Sequence, residues 1–476
     1  METVLSVLSP EERHRIHQAS LEILAETGVE FPSDTALRCL ADSGAKVDFG
    51  AKRALIPPGL VEEALGRAPS SVTLGGLNPE MDAALDGSCC HVGTDGSGSY
   101  TRDFDTGQQR PSTLKDLVQA TIIAEALDPV RIYWGPVIAG DVPANVRPLK
   151  EFFEAARWTG KHIQHEIHRP QEVPFVFEAL QVLTGGREQA AARRVFSVVC
   201  CPVSPLRHDG PMTEAVMALT EYGVPVVPLP MPMAGATAPA SLMGTVIVNN
   251  VEVLSSLTLL QSCTPGTPVV YGAAGSVMDM RRGTFAAGAP EEGLINAACA
   301  EMAGYYGLPS ITTGLVTDAV EPGVQASLEK VTNGIIPMLA GSDGVIGIGL
   351  LQSDQCLCLE QMVLDAEMCL QIERVQKGID TGPGMSLVEL IKSVGPGGNF
   401  LAEESTCRLV RLGEHYIPQL YQRLSHDAWV QEGKPGILSM ARERVKEILR
   451  DPLPGFLDEY QVKELERILQ KAGLVL

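Results

Sequence analysis

The sequence predicts an α/β chain built around an eight-stranded parallel (β/α)8, or TIM, barrel. Three observations point there. Between Pro268 and Gln352, the apolar runs PVVYGAAGSVMDM, PSITTGLVTDAVEP and DGVIGIGLLQ alternate with helical stretches, as in a βα-repeated sheet. Each run is bounded by Gly or Pro and breaks into Asp, Ser, Thr or Gln at its C-terminal end, the pattern of strands buried on both faces with polar loops at one rim. The same rhythm extends upstream to about residue 129. Barrels of this kind keep their working residues at the strands' C-terminal ends.

Size and composition are compatible with that fold. A chain of 476 residues, 45% hydrophobic, can bury one large barrel with additions. The net charge of −21 argues against nucleic acid and anionic membranes as partners, since both need a basic face. The start, METVLSVLSPEERHRIHQ, turns polar after eight residues and does not read as a signal peptide. No apolar run reads as long enough to span a bilayer, so a cytoplasmic location is expected. The eleven cysteines are scattered and are expected to be reduced, mostly buried thiols.

The first 128 residues read as a helical N-terminal layer with a β-hairpin insertion. Ser9 as N-cap, Pro10 at the first helical position and Glu12 completing a capping box start a helix with an Ile16, Ala19, Ile23, Leu24 stripe, and Gly28 stops it. Helices are expected at Thr35–Ser43 and Pro58–Ala68, and a short strand at Ser71–Gly76. His91–Leu117 reads as a hairpin excursion, with Ser112 or Thr113 capping the next helix near Leu114. Its DGSGS is not a phosphate loop, because no Gly-Lys-Ser/Thr closes it.

The barrel is expected over residues 129–402. Seven strands are predicted: Arg131–Ile138, His162–Ile167, Val195–Val203, Pro225–Leu229, Val269–Ala273, Ser310–Val316 and Gly344–Leu350. Gly397–Ala402 is the best candidate for the eighth. Residues 403–476 read as a helical C-terminal extension ending in an amphipathic helix at Asp458–Ala472.

Candidate chemistry is sparse. His162, His165 and His168 tempt a metal reading, but a spacing of three on a strand puts neighbours on opposite faces. His168 at the rim fits a substrate contact better, and no bound metal is expected. Aromatic residues are only 5% of the chain. Tyr133, Trp134 and Tyr271 on strands, with Tyr100 and Phe104 on the hairpin, are candidates to embrace a quaternary ammonium by cation–π attraction, ordinary core packing being the alternative. Arg207 and His208 could meet a carboxylate. Asp318, with Gln325 just beyond it, follows the sixth predicted strand; Asp318 is the candidate catalytic residue and Gln325 a candidate substrate contact, with helix capping the alternative for Asp318.

Several stretches resemble the trimethylamine methyltransferase superfamily. They are GSGSYTRDFDTGQQRPSTLKDL, NNVEVLSSLTLLQSCTPGTPVVYG, MRRGTFAAGAPE, YYGLPSITTGLVTDAVEPGVQASLEK and NFLAEESTCRLVRLGEHYIPQL. Members of that superfamily are barrel enzymes that demethylate methylamines onto a corrinoid protein. Its founding trimethylamine enzymes carry pyrrolysine in the barrel pocket, whereas this chain has only standard residues. The chain therefore resembles the branch without pyrrolysine, whose members act on glycine betaine, proline betaine, carnitine or γ-butyrobetaine. That resemblance implies a quaternary amine substrate, glycine betaine first, in one-carbon metabolism of the methanogenic or acetogenic type. It implies a cobalamin (corrinoid) supplied by a cognate corrinoid protein, with no cofactor bound tightly to this chain, and self-association is expected from the fold. The remaining alternatives are a zinc-dependent barrel methyltransferase or hydrolase using His165, His168 or Cys201, and a non-catalytic betaine-binding or corrinoid-docking protein.

Overall fold

Eight parallel strands close into a barrel in the computed structural model, which describes residues 4–380 and 384–476, and the side chains of all of these except 384–386. In chain order they are β1 (His91–Thr94), β2 (Val130–Trp134), β3 (His162–Glu166), β4 (Phe196–Cys200), β5 (Val226–Pro228), β6 (Tyr271–Ala273), β7 (Ser310–Thr313) and β8 (Gly344–Ile348). They pair in the order β5-β4-β3-β2-β1-β8-β7-β6, with every pairing parallel. The ring closes between β5 and β6, where Val226 N donates to Pro268 O at 3.0 Å and Val270 N donates to Val226 O at 2.8 Å.

The seven predicted strands coincide with β2 to β8. The eighth does not: Gly397–Ala402 is exposed turn and bend. His91–Thr94 takes that place, inside the stretch read as a hairpin. Four residues, HVGT, are too few to display a period. Gly93 lets the strand fit between its neighbours, since a Cβ there would lie 2.8 Å from Ile346 Cγ2 and 3.0 Å from Ile132 O. The hairpin itself is present just downstream, Tyr100–Arg102 pairing antiparallel with Gln109–Pro111.

Alternation along the strands makes two cores. Ile132, Trp134, Val199, Val227, Val270, Ile311 and Ile346 fill the interior, joined by Val72, Leu74, Ala83 and Leu85. The last four belong to a small antiparallel hairpin, Val72–Leu74 with Ala83–Leu85. It seals the strands' N-terminal end: Gly75 O lies 3.1 Å from His162 Nδ1 and Ala84 O lies 3.0 Å from His91 Nε2, each histidine opening its strand. Tyr133, Val198, Tyr271 and Val345 face outward into the larger core beneath the helices.

The N-terminal layer forms as its sequence signals. Ser9 Oγ accepts from Glu12 N at 3.2 Å and Glu12 Oε2 accepts from Ser9 N at 2.8 Å, the capping box that starts helix Pro10–Glu26. The layer packs on helix Leu242–Cys263, where Asn250 Nδ2 donates to Ser20 Oγ at 2.9 Å. A disulfide, Cys39–Cys263, joins the same two parts. This corrects the expectation of free thiols throughout; a pair 224 residues apart leaves no spacing cue. Leu242–Cys263 also corrects the membrane reading in one respect. Among the described residues it is the one helix long and apolar enough to cross a bilayer, but 72% of its apolar window is buried inside the fold.

Glu252 on that helix is buried. Its Oε1 accepts from Leu206 N and its Oε2 from Ser204 Oγ, both at 2.8 Å, which pins the loop after β4. Burial pushes its carboxyl up from 4.5 to about 7. A carboxyl raised in the folded state holds its proton more tightly there than in the unfolded chain. Its contribution to stability is therefore complete below pH 4.5 and lost as pH rises through about 7, a loss on the order of 3 kcal/mol. Glu252→Gln keeps the acceptor for Leu206 and removes the titration. Urea unfolding at pH 5 and pH 8 is expected to show a smaller loss of stability on going to pH 8 in the variant than in the parent; equal losses would count against this account.

Candidate active site

The strands' C-terminal ends gather a set of buried polar groups. Trp134, the last residue of β2, points inward and lies flat on the backbone of Gly96, where a Cβ would come within 2.0 Å of the indole. Only glycine fits there. Thr94 ties β1 to the same point: its Oγ1 donates to Trp134 O at 2.6 Å and accepts from Trp134 N at 2.8 Å.

Asp95, next to Thr94, is buried. Its Oδ1 accepts from Gly96 N at 2.8 Å, while Oδ2 has no partner. Asp354 meets it from the loop after β8. Gln352, Ser353 and Asp354 all sit in the left-handed region, at φ 59°, 52° and 65°. Each such residue costs on the order of 1 kcal/mol, and strain of this kind collects at functional sites. Ser353 holds the turn by donating from N to Thr317 O at 2.8 Å and from Oγ to Asp318 Oδ1 at 2.6 Å. The turn brings the Asp354 carboxyl near enough to Asp95 for each to act on the other's ionisation. Burial first, and then the charge of Asp95, pushes Asp354 well above the usual carboxylate range. Asp95 is also raised, chiefly by burial.

Glu292 lies in the first turn of helix Pro290–Tyr306. Its Oε1 accepts from Thr313 Oγ1 at 2.7 Å and Asn296 Nδ2 at 3.0 Å, but Oε2 has no partner. Burial, followed by the charges of Asp95 and Asp318, pushes it well up. Glu166 closes β3, with Ser97 Oγ 3.5 Å away and His168 Nε2 3.4 Å away. Gln164, fully buried and facing inward, leaves both polar atoms of its amide unpartnered, and Trp134 Nε1 and Asn296 Oδ1 are also bare. Native interiors pair nearly all such groups, so a concentration of bare ones at a barrel mouth marks a place prepared for a ligand.

A cavity of about 580 Å3 opens at the other end of the barrel, between Cys90, His91, Asp128 and Arg131. These residues stand at the N-terminal ends of β1 and β2, away from the strands' working ends.

The sequence pattern of the trimethylamine methyltransferase (MTTB) family matches residues 2–472. The chain belongs to that family. It is 33% identical over 467 residues to trimethylamine methyltransferase MttB of Desulfitobacterium hafniense, covering 98% of this chain and 94% of the relative. It is 30% identical over 470 residues to a glycine betaine methyltransferase of Desulfitobacterium hafniense strain Y51, covering 98% and 97%. The monomethylamine methyltransferase of Methanosarcina barkeri shares the fold, with a TM-score of 0.50 and 13% identity, over 95% of this chain and 89% of that one.

In this MTTB-family chain, the residues singled out from the sequence fall in different places. Trp134 is at the mouth. Tyr133, its neighbour, faces outward, its OH 2.6 Å from Thr121 Oγ1, and Tyr271 likewise turns out to donate to Asn250 Oδ1 at 2.9 Å. Adjacent strand residues cannot share a face, so the three do not form one cage. Tyr100 is half-exposed on the hairpin, and Phe104 packs under the Arg442 guanidinium, 4.1 Å from its centroid. Arg207 pairs with Glu30 at 3.4 Å, and His208 is buried on Phe31 with Nε2 2.8 Å from Ser255 Oγ, both against the N-terminal layer. Neither reaches the mouth.

His168 is half-exposed at the rim beside Glu166. Gln325 Nε2 donates to Glu329 Oε1 at 2.9 Å in solvent. Asp318 has both oxygens engaged, by Ser353 Oγ and by Gly288 N at 3.1 Å, and so is tied to the strained turn. His162 is deep in the barrel, 2.8 Å from Ser197 Oγ, and His165 turns outward, 3.5 Å from Glu151 Oε2; with His168 at the rim, the three do not form a common ligand set. Cys201 is held as a thiol, pushed well up by burial and then by Glu166.

The groups that sequence reasoning missed are Asp95, Gln164, Glu166, Glu292, Asn296 and Asp354. Asp95 and Asp354 had a signal, since both follow an apolar run at its polar end. Glu292 had none, because an acid in a helix's first turn reads as ordinary dipole pairing.

Proposed function

We propose that this chain moves a methyl group from a quaternary amine to cobalt(I) of a corrinoid partner protein in the cytoplasm. The observation that carries the reading is the pairing of Trp134 with the unpartnered oxygens of Asp95, Asp354 and Glu292 at the barrel mouth. A flat indole and buried carboxyl groups suit a cation that offers methyl groups and no N–H. Family membership and the relatives named for methylated amines support the same class of substrate. Glycine betaine is the reference compound, from the resemblance to the branch without pyrrolysine.

The partner's corrinoid supplies the nucleophile, and the leaving group is a neutral tertiary amine that needs no proton. The residues of this chain then have three tasks. Trp134 and the carboxyls hold the cation. Gln164 and Asn296 fix its orientation by their bare amide atoms. The closed barrel excludes water, so catalysis rests on positioning and desolvation. Docking of the partner is supported by the apolar rim outside the mouth, where Val203, Met231, Met280 and Val320 are exposed in the segments after β4 to β7 and Val324 and Leu328 on the helix that follows β7. Self-association belongs to the reading as well. Ile391 and Leu401 stand exposed just before the C-terminal extension and Leu412 and Ile417 within it, and sedimentation analysis is the check.

The deciding assay mixes the protein with a cobalt(I) corrinoid, free or protein-bound, and supplies glycine betaine, proline betaine, carnitine, choline and trimethylamine separately. Loss of the cobalt(I) absorbance with a quaternary amine, and not with trimethylamine, is expected. No loss with any compound, with a competent corrinoid protein present, would remove the reading.

A further inference from the structure

We infer that the mouth takes a permanently charged organic cation carrying no carboxylate of its own, a choline- or tetramethylammonium-like ion in preference to a betaine. This rests on the reading of the mouth as the amine site and narrows its substrate.

The argument is one of charge. Five carboxyl groups surround the site: Asp95, Asp354, Glu292, Glu166 and Asp318. Among the described residues, Lys330 acts on Asp95 and Asp354, and His168 on Glu166. Lys330 is fully buried and already committed, donating to Asp365 Oδ2 at 2.9 Å, Leu315 O at 2.6 Å and Gly347 O at 3.1 Å. His168 is half-exposed and paired with Glu166. Arg281 and Arg282, on the hairpin over the mouth, point into solvent, with Arg281 on Asp279. Arg207, the natural clamp for a substrate carboxylate, sits on Glu30 at the N-terminal layer.

A betaine brought here would place its carboxylate among these acids, while Lys330, His168, Arg207 and Arg281 are already paired with other carboxylates. An ammonium that enters favours the ionised forms of these acids, and a carboxylate carried beside it then meets like charge in a poorly solvated site, which is discrimination by repulsion as much as by attraction. A lone cation meets the opposite situation. The oxygens Asp95 Oδ2, Asp354 Oδ1 and Glu292 Oε2 have no hydrogen-bond partner, and the Asp95 and Glu292 side chains are almost wholly removed from solvent.

The protons on these acids give the idea a second signature. Burial keeps Glu292 and the Asp95–Asp354 pair protonated beyond the usual carboxylate range. A cation entering among them favours their ionised forms and expels a proton. A quaternary ammonium has no proton to lose, so any proton released belongs to the protein. Affinity for the cation therefore rises with pH.

The test is calorimetric binding without any corrinoid, so that it stands apart from methyl transfer. Tetramethylammonium, choline and glycine betaine are titrated into the full chain at several pH values, in two buffers of different ionisation enthalpy. Choline and tetramethylammonium are expected to bind at least 10-fold more tightly than glycine betaine, with proton release and with affinity rising with pH. Glu292→Gln, which keeps the side chain's shape, is expected to weaken choline at least 10-fold and to leave glycine betaine unchanged or improved. Circular dichroism establishes that the variant is folded; should it not fold, Asp354→Asn serves in its place. Equal or tighter binding of glycine betaine, binding without proton exchange, or no binding of any of the three overturns the inference. Failure of methyl transfer alone, with the binding order as stated, would count against the proposed reaction and not against this one.

Discussion

Lys330→Met is expected to lower the stability of the folded chain by roughly 3–5 kcal/mol, the cost of breaking a buried ion pair from one side. The ammonium of Lys330 is enclosed where β7 and β8 end. It donates to Leu315 O, Gly347 O and Asp365 Oδ2, and neither Lys330 nor Asp365 is exposed at all. Leu315 is held in the left-handed region at φ 59°, so its carbonyl depends on that donor. Removing the ammonium strands a carboxylate that also accepts from Gly349 N at 2.8 Å and Gln361 Nε2 at 2.7 Å. Asp365→Asn in the same chain removes the uncompensated charge and is expected to recover a good part of the loss. Chemical denaturation of the parent, the single variant and the double variant is the measurement. A single variant within about 1 kcal/mol of the parent would show that the pair contributes little net stability.

The second large effect concerns Trp134. Trp134→Leu keeps an apolar side chain inside the barrel and removes the indole face. A desolvated cation–π contact is worth about 2 kcal/mol, so binding of a quaternary amine is expected to weaken roughly 30-fold. A part of the interior is lost as well, since the ring lies on Gly96 and fills the space beside it. A control separates the two causes. Tyr133→Phe removes an outward hydroxyl bonded to Thr121 and leaves the mouth intact. It is expected to change stability by about 1 kcal/mol and binding not at all. If both variants lowered binding equally, Trp134 would be a packing residue.

Much of the fold was legible because buried parallel strands write themselves as apolar runs closed by Gly and Pro. β2 to β8 all announce themselves in this way, and so does the capping box at Ser9. β1 does not, because HVGT is short and leads straight into glycines that signal turns. At the site, alternation alone would have separated Tyr133 from Trp134, since consecutive strand residues face opposite layers. The acids were harder. Asp95, Glu292 and Asp354 come from a strand end, a helix start and a strained turn, and only closure of the ring brings them together. Arg207 and His208 illustrate the converse: they follow β4 closely in sequence, yet the loop carries them to the N-terminal layer.

The place of β1 has a consequence for how the chain is made. β1 pairs on one side with β2, soon after it in sequence, and on the other with β8, where Gly344 lies opposite His91. During synthesis that second edge stays open until about 250 further residues have emerged, roughly 10–50 s at ordinary translation speeds. The N-terminal residues wait longer still, for Leu5 N donates to Leu339 O at 2.9 Å and Val7 N is held by Glu301. The first strand thus keeps one edge unpaired, and the N-terminal residues lack their partners, through most of synthesis. An unclosed sheet edge is a template for pairing with other chains. Overproduction at high temperature should therefore yield aggregates seeded by β1, and slower synthesis at low temperature should favour closed barrels.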